Sequence, residues 1–237
     1  MKISIAVPAY ECYGKGGEFI DDLLRTIEIQ TFKDFEVCIS DHSKNDDVLK
    51  IVNKFKDKFK IVYYKNTEDR GNGPANTNSA IEMCSGEIIK IMFQDDFFYD
   101  DEALSKIVDE MSQSDKKWLL NASNHTRDHG HSFYWNLFPV MNERLLEGVN
   151  TIGPPSVMSF KKDVKIRFDT NLVYFMDVEF YYSMWNKYGD PILYNDIITT
   201  NRVSDYSISA NVCGKDPESY IKEETSYCKS KHSNSFN

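Results

Sequence analysis

The stretch Ser85-Gly86-Glu87-Ile88-Ile89-Lys90-Ile91-Met92-Phe93-Gln94-Asp95-Asp96-Phe97-Phe98 reads as a turn, a buried strand, and a strand end carrying two adjacent acids. Ser85-Gly86 is a turn signal. The run that follows is so rich in Ile, Met and Phe that it predicts an interior strand of a parallel sheet over 87–93. Ligands of open α/β sheets collect at the carboxyl ends of strands, which is where Asp95 and Asp96 fall. Like charges in contact resist ionisation, and a divalent cation removes that cost. Mg²⁺ is typically held by one or two carboxylates, with substrate phosphates as further ligands. A solvated strand end whose acids cap the next helix is the commoner use of an Asp pair, and the rest of the chain favours a metal–diphosphate site.

Outward from this stretch, strands are predicted over 2–7, 36–40 and 61–64, with helical spacing over 19–27, 48–59 and 75–84. Such alternation predicts a mainly parallel central sheet flanked by helices, with right-handed crossovers. Beyond Asp96 the pattern gives a helix over 102–111, a strand over 118–122, and a polar loop over 124–136 holding His125, His129 and His131. A strand over 156–160, a helix over 177–188 ended by Gly189, and a strand over 192–199 follow. We read one domain over 1–230, with a nucleotide half (1–100) and an acceptor half (101–230). Residues 231–237 form a frayed, flexible tail.

With 237 residues, 41% of them hydrophobic, the chain can bury a full core. A formal charge of −9 argues against a broad basic surface for nucleic acid. No segment is long and apolar enough to span a bilayer, and Met1–Pro8 suits a first strand better than a signal peptide. Cys12, Cys38, Cys84, Cys213 and Cys228 lack CxxC spacing and suit free thiols in a reducing compartment. A soluble, cytoplasmic protein is expected, with peripheral membrane association left open.

Polar groups end each predicted strand: Pro8-Ala9-Tyr10-Glu11, Ser40-Asp41-His42-Ser43, Gln94-Asp95-Asp96, and Asn66, Glu68, Asp69 and Arg70 after the third. In a doubly wound sheet these ends converge on one crevice. Singly, Asp41 and Ser43 are ordinary helix N-cap types. Gly71–Asn78 is a Gly-rich turn entering a helix, without the GxxxxGK or GxGxxG spacing. Pro74 suits a first helical turn, whereas Asn76 and Asn78 are poor helix formers. They either cap exposed amides or face the crevice to bind ribose or phosphate.

The ordered set Ile5–Tyr10, Cys38–Ser43, Gly73–Asn78, Ser85–Asp96, Pro154–Met158 and Met176–Glu179 resembles family 2 glycosyltransferases of the GT-A (Rossmann-like) fold. The resemblance implies an inverting transfer of a sugar from a nucleotide-diphosphate donor (a UDP- or GDP-sugar) to a glycan or lipid-linked acceptor, as in polysaccharide biosynthesis. It implies that Pro8, Ala9, Tyr10 and Glu11 line the nucleoside pocket and that Asp41 accepts a hydrogen bond from the base. Ser43, Arg70, Asn76, Asn78 and Gln94 complete the donor site. Asp95 matches the last acid of the family's DxD motif and, with Asp96 beside it, implies a Mn²⁺ or Mg²⁺ site. Asp177 matches the general base.

Three departures stand out. Phe93 takes the place of the first DxD acid, Thr77 that of an arginine, and Ser204 that of a histidine, with Asp205 or Arg202 as substitutes and Asp205 as a further candidate metal ligand. Tyr134, Trp135 and Phe138 suit either stacking on an acceptor sugar or core packing under the loop. Glu179 reads as a helix-face partner of the base. A sugar nucleotidyltransferase and a non-catalytic nucleotide-sugar or carbohydrate-binding module are the alternatives.

Overall fold

The computed structural model describes residues 2–206 and 217–233. All of β2 (Phe35–Asp41) is buried, and all of β1 (Ile3–Ala9) except the half-buried Pro8. Strands covered on both faces belong in the interior of a sheet. β1 accordingly pairs in parallel with β2 on one edge and with β4 (Ile88–Ile91) on the other, and β2 pairs in parallel with β3 (Ile61–Lys65). The crossovers are the helices α1 (Gly16–Glu28), α2 (Asp47–Phe55) and α3 (Gly73–Glu82). α2 stops four residues short of Phe59, the expected end.

Side chains alternate across the sheet. Ile3, Ile5 and Val7 pack with Ile20, Leu23 and Leu24 of α1, Val48 and Val52 of α2, and Leu104 and Ile107 of α4 (Ala103–Ser112). Ala6, Ile89 and Ile91 face the other way, toward Ala80 and Ile81 of α3 and Phe180, Tyr181 and Met184 of α5 (Met176–Tyr188).

The remaining strands are β5 (Phe97–Phe98), β6 (Trp118–Thr126), β7 (Tyr134–Leu137), β8 (Met158–Lys161) and β9 (Ile192–Arg202). The sheet order is β3-β2-β1-β4-β8-β6-β9-β5, with β7 on β6. The sheet is parallel from β3 to β4. Beyond β4 it is mixed, because β8 runs antiparallel to both β4 and β6. Phe97-Phe98 is itself a short strand on β9. The segment expected as a loop over 124–136 is strand at both ends and a turn only over 127–133: Ser123–Thr126 pair with Thr199–Arg202, and Leu137 and Tyr134 pair back onto Ser123 and His125. Its polar side chains hid strands whose backbone groups are satisfied by β9.

The last helix, α6 (Pro217–Lys231), is held by charge more than by an apolar stripe. Lys231, expected in the frayed tail, ends this helix and pairs with Asp169 and Glu179. His232 Nε2 lies 2.8 Å from Glu179 Oε1. Residues 234–237 of the expected tail lie outside the described residues.

The turn that opens the decisive stretch is locked at the amino edge of the sheet. Glu36 of β2, 1% exposed, accepts from Ser4 Oγ (2.7 Å), Ser85 N (2.7 Å) and Ser85 Oγ (2.6 Å), and pairs with Lys60 Nζ at 2.6 Å. Gly86 N donates to Ser4 Oγ, and a Cβ at Gly86 would stand 2.8 Å from Ser4 N, so no side chain fits there. Burial alone would raise the Glu36 pKa, but the bonds from Lys60, Ser85 and Ser4 hold it at about 2, against an ordinary 4.5. A carboxyl depressed in the folded state contributes stability above its unfolded pKa and loses it as the pH falls toward the folded value. We therefore predict that Glu36→Gln lowers the unfolding free energy by about 1–3 kcal/mol at pH 7 in urea denaturation. The gap from wild type should narrow as the pH drops below about 4.5; a gap unchanged with pH would refute this account.

Candidate active site

Because β8 opposes both β4 and β6, while β9 parallels β6, strands β1, β2, β4, β6 and β9 all point their carboxyl ends to one edge. The crevice of the fold opens there.

On the β1–β2 side the polar side chains brace the backbone. Gln94 spans from β4 to the end of β1: its Nε2 donates to Tyr10 O (2.7 Å) and its Oε1 accepts from Tyr10 N (3.0 Å). Asn76 donates to Ala9 O (3.0 Å) and accepts from Ser40 Oγ (2.7 Å), so its buried amide ties β1 to β2 instead of facing the crevice. Asn78 likewise turns away, with both amide atoms on the backbone of Phe168. Asn72 caps α3 through Ala75 N and reaches Thr170 O. The ligand roles expected for Asn76 and Asn78 are thus replaced by structural ones, since each amide already has a donor and an acceptor partner.

Pro8 and Ala9 end β1, and Tyr10 beyond them is 38% exposed. Glu11 accepts from Lys44 N and joins the two loops that flank the crevice. Asp41, fully buried, accepts from Ser43 N (2.8 Å), Tyr63 Oη (2.6 Å) and Lys65 Nζ (3.1 Å). One of its roughly four acceptor positions is left. Ser43 Oγ is buried with no partner among the described residues. Arg70 stands exposed on the turn before Gly71.

The two adjacent acids part company. Asp95 is half-buried at the crevice, and burial pushes its carboxyl up while Arg202 pulls it down. Asp96 is turned into the protein, accepting from Arg202 N at 3.2 Å. Burial and the charge of Asp95 push its carboxyl up to about 8. The expected second metal ligand is therefore an interior acid. Asp205 is exposed and lines a pocket of about 320 Å³ with Lys15, Glu18, His129 and Arg202. Among the described residues no three His, Cys, Asp or Glu form a ready-made ion cage. A half-exposed Asp95 nevertheless fits an ion of the Mg²⁺ or Mn²⁺ type, which needs few protein carboxylates when phosphates complete its shell.

Asp177 sits in the first turn of α5. Its Oδ1 accepts from Val178 N (2.7 Å) and its Oδ2 from Asn150 Nδ2 (2.8 Å). Asn150 also donates to Gly153 O and accepts from Ile152 N and Gly153 N, so the 150–153 turn aims the carboxylate. Burial, reinforced by the charge of Glu224, raises the Asp177 carboxyl to about 6 despite these bonds. Glu224 of α6 accepts from three successive backbone amides ahead of α5: Val173 N (2.9 Å), Tyr174 N (3.0 Å) and Phe175 N (2.6 Å). Glu179, two residues beyond Asp177, is buried against Lys231, His232 and Ser183, a structural partner of the helix.

Sequence reasoning missed Asn150, Glu224 and the pinning role of Arg202. Asn150 precedes Gly153-Pro154-Pro155, a turn signal that could have drawn attention to it. Glu224 has no local signature, because its partners lie some fifty residues earlier. Charge-assisted bonds of this kind contribute about 1.5–3 kcal/mol each. Glu224→Gln, which sets an amide donor against the amides it should accept, is expected to speed hydrogen exchange at Val173–Phe175 by about 10–100-fold. Unchanged exchange there would show that α6 does not hold the segment.

The fold has solved counterparts. The S. aureus TarS structure with UDP-GlcNAc superposes at a TM-score of 0.69, with 20% identity, over 86% of this chain and 59% of that one. The mannosyltransferase PcManGT of Pyrobaculum calidifontis, solved with GDP-Man and Mn²⁺, gives 0.62 and 17% identity over 86% and 57%. The architecture is the GT-A fold. In sequence, the chain is 31% identical over 113 residues to the GalNAc(5)-diNAcBac-PP-undecaprenol beta-1,3-glucosyltransferase of Campylobacter jejuni, covering 47% of this chain. It spans only 34% of that relative's length. Residues 4–178, from β1 through the turn that carries Asp177, match the model of Glycosyl transferase family 2, and the chain belongs to that family.

Proposed function

We propose that the chain transfers a sugar from a nucleotide-diphosphate donor, a UDP- or GDP-sugar, to a hydroxyl of a glycan or lipid-linked acceptor, with inversion at the anomeric carbon. The observation that carries this reading is Asp177: an oriented carboxylate at a helix start, with its pKa raised to about 6 by burial. Such a group is ionised at neutral pH and is still a stronger base than an ordinary carboxylate. It takes the proton of the acceptor hydroxyl as that oxygen bonds to the anomeric carbon, while the bond from that carbon to the diphosphate oxygen breaks on the opposite face.

On the donor side, Tyr10 offers a half-open ring to the base. The last acceptor position on Asp41 suits the single imide N–H of a uracil, and Arg70 supplies positive charge near the phosphates. A divalent ion at Asp95, Mn²⁺ or Mg²⁺, would neutralise charge developing on the leaving diphosphate. The mannosyltransferase solved with GDP-Man and Mn²⁺ and the TarS complex with UDP-GlcNAc support this donor chemistry by fold. The undecaprenol-linked substrate in the Campylobacter relative's name supports a lipid-linked acceptor.

No helix among the described residues is long and apolar enough to cross a membrane. Free buried thiols at Cys38, Cys84 and Cys228 suit a reducing compartment, and we place the chain in the cytoplasm. Phe93 in place of an acid and the inward turn of Asp96 favour one rival, a module that binds nucleotide sugars without turning them over.

The test is release of UDP or GDP from a panel of nucleotide sugars with Mn²⁺, with and without saccharide acceptors. Asp177→Asn is expected to lower transfer by about 10²–10⁴-fold. In the wild type, kcat/KM should fall about tenfold per pH unit below about 6, where the base becomes protonated. Tight donor binding with no release under any condition would establish the binding-module rival, and transfer that survives in Asp177→Asn would remove the base from the mechanism.

A further inference from the structure

Strand β7 carries a bulge with an unusual occupant. Ser123 pairs with Leu137 and His125 with Tyr134, so two steps along β6 face three along β7. The extra residue lies at Trp135-Asn136, and Trp135 takes φ = 45°. Left-handed backbone in a bulge is normally given to glycine, because a side chain there costs about 1 kcal/mol or more. Here it falls to a tryptophan that is 72% exposed.

The conformation is fixed on one side only. His125 stacks on the indole at 5.5 Å and 25°, and its Nδ1 lies 2.9 Å from Trp135 O. Among the described residues no second ring stacks on the indole, which stays largely exposed. Phe133 (44%), Tyr134 (38%) and Phe138 (49%) continue the exposed aromatic strip on either side.

The strip lies between the two halves of the crevice. At one end, Thr126 of β6 pairs with Arg202 of β9, whose Nε donates to Asp95 O at 3.1 Å. At the other end, a Cβ on Gly153 would stand 3.3 Å from Leu137 Cδ2, and Gly153 belongs to the turn through which Asn150 holds Asp177. Beneath it, Asn201 Oδ1 is buried and has no partner among the described residues, while its Nδ2 reaches Ser123 Oγ.

We propose that the open face of Trp135 is the platform on which a pyranose ring of the acceptor saccharide stacks, with Asn201 Oδ1 accepting from one of that sugar's hydroxyls. The inference rests on the transferase reading for the word acceptor. An aromatic face is electron-rich and attracts the electropositive C–H edge of a sugar ring. Bulges recur beside active sites, where they re-aim one side chain, and backbone strain persists where function retains it. A lipid surface fits less well. A chain of net charge −9 is repelled by anionic headgroups, and Arg127 beside the strip is already engaged with Tyr134 Oη.

The test uses the full chain, with N-acetylhexosamine mono- and oligosaccharides, free and as short-chain lipid diphosphates, as probes. Calorimetric titration is expected to show saturable binding of at least one probe, weakened about tenfold in Trp135→Ala and largely kept in Trp135→Phe. In the transfer assay, the acceptor KM should rise by a similar factor in Trp135→Ala while the donor KM moves less than twofold. Equal affinity of Trp135→Ala and wild type for every probe overturns the proposal. So does an effect of Trp135→Ala confined to binding of anionic vesicles, or to self-association in sedimentation. Saccharide binding that depends on Trp135 in a chain with no donor turnover would retain the sugar platform and reject the transferase reading. Donor turnover with no saccharide response at Trp135 would do the reverse.

Discussion

A buried guanidinium fixes the crevice. Arg202, at the carboxyl end of β9, is 8% exposed, and a charge so removed from water must be fully paired or it unfolds its surroundings. It donates to Asp22 Oδ2 of α1 (2.6 Å), to Asp95 O (3.1 Å) and to His129 Nδ1 (2.8 Å), while lying over the rings of Phe19 and Phe97. Its backbone N–H meets Asp96. β4 and β9 are separated in the sheet by β8 and β6. The arginine reaches over them and binds the acidic turn after β4 to the end of β9. Lysine could not replace it, since one ammonium lacks the planar fork that serves these directions together.

The opposite wall is held from two sides. Segment 168–179, which delivers Asp177, is gripped by Asn72 and Asn78 of the α3 turn and helix at Thr170 and Phe168. On its far side α6 holds it through Glu224, and through Tyr227 and Lys231 at Asp169. Asp177, the proposed base, is thus suspended between α3 and α6. That arrangement also explains its altered chemistry. The grip that holds the segment also sets the charge of Glu224 near Asp177, which adds to the effect of burial on its carboxyl.

The readable part of this fold is the part whose stability comes from burial. β1, β2 and β4 announced themselves by apolar composition, and their order by alternation with helices. Polar placement was readable as a tension without its resolution. Asn76 and Asn78 are out of character for a helix, and that signal was sound, but nothing local says that their amides bond to the sheet and to Phe168 instead of a ligand. Asp95 and Asp96 look equivalent in sequence, yet the strand's end turns one out and one in. Arg202 and Asp22 are 180 residues apart, beyond any local pattern. The α6 helix escaped notice because charge pairs, not an apolar face, hold it.

The β1–β2 side and the β7 bulge also differ in how their polar groups are satisfied, and that difference bears on what each is built to do. Toward the proposed donor side most amide, carboxylate and hydroxyl groups close on one another, Ser43 Oγ excepted: Gln94 on Tyr10, Asn76 on Ala9 and Ser40, Glu11 on Lys44. Little there has to move for a ligand to meet a preformed surface, which lowers the ordering cost of binding. At the β7 bulge, between the two halves of the crevice, two groups are left open. Trp135 holds a strained backbone and a largely exposed ring, and Asn201 Oδ1 has no partner among the described residues. A buried acceptor without a donor and a large aromatic left in water are both unfavourable. The saccharide proposed for this strip would relieve both, with a hydroxyl to donate to Asn201 Oδ1 and a C–H-lined ring to cover the indole.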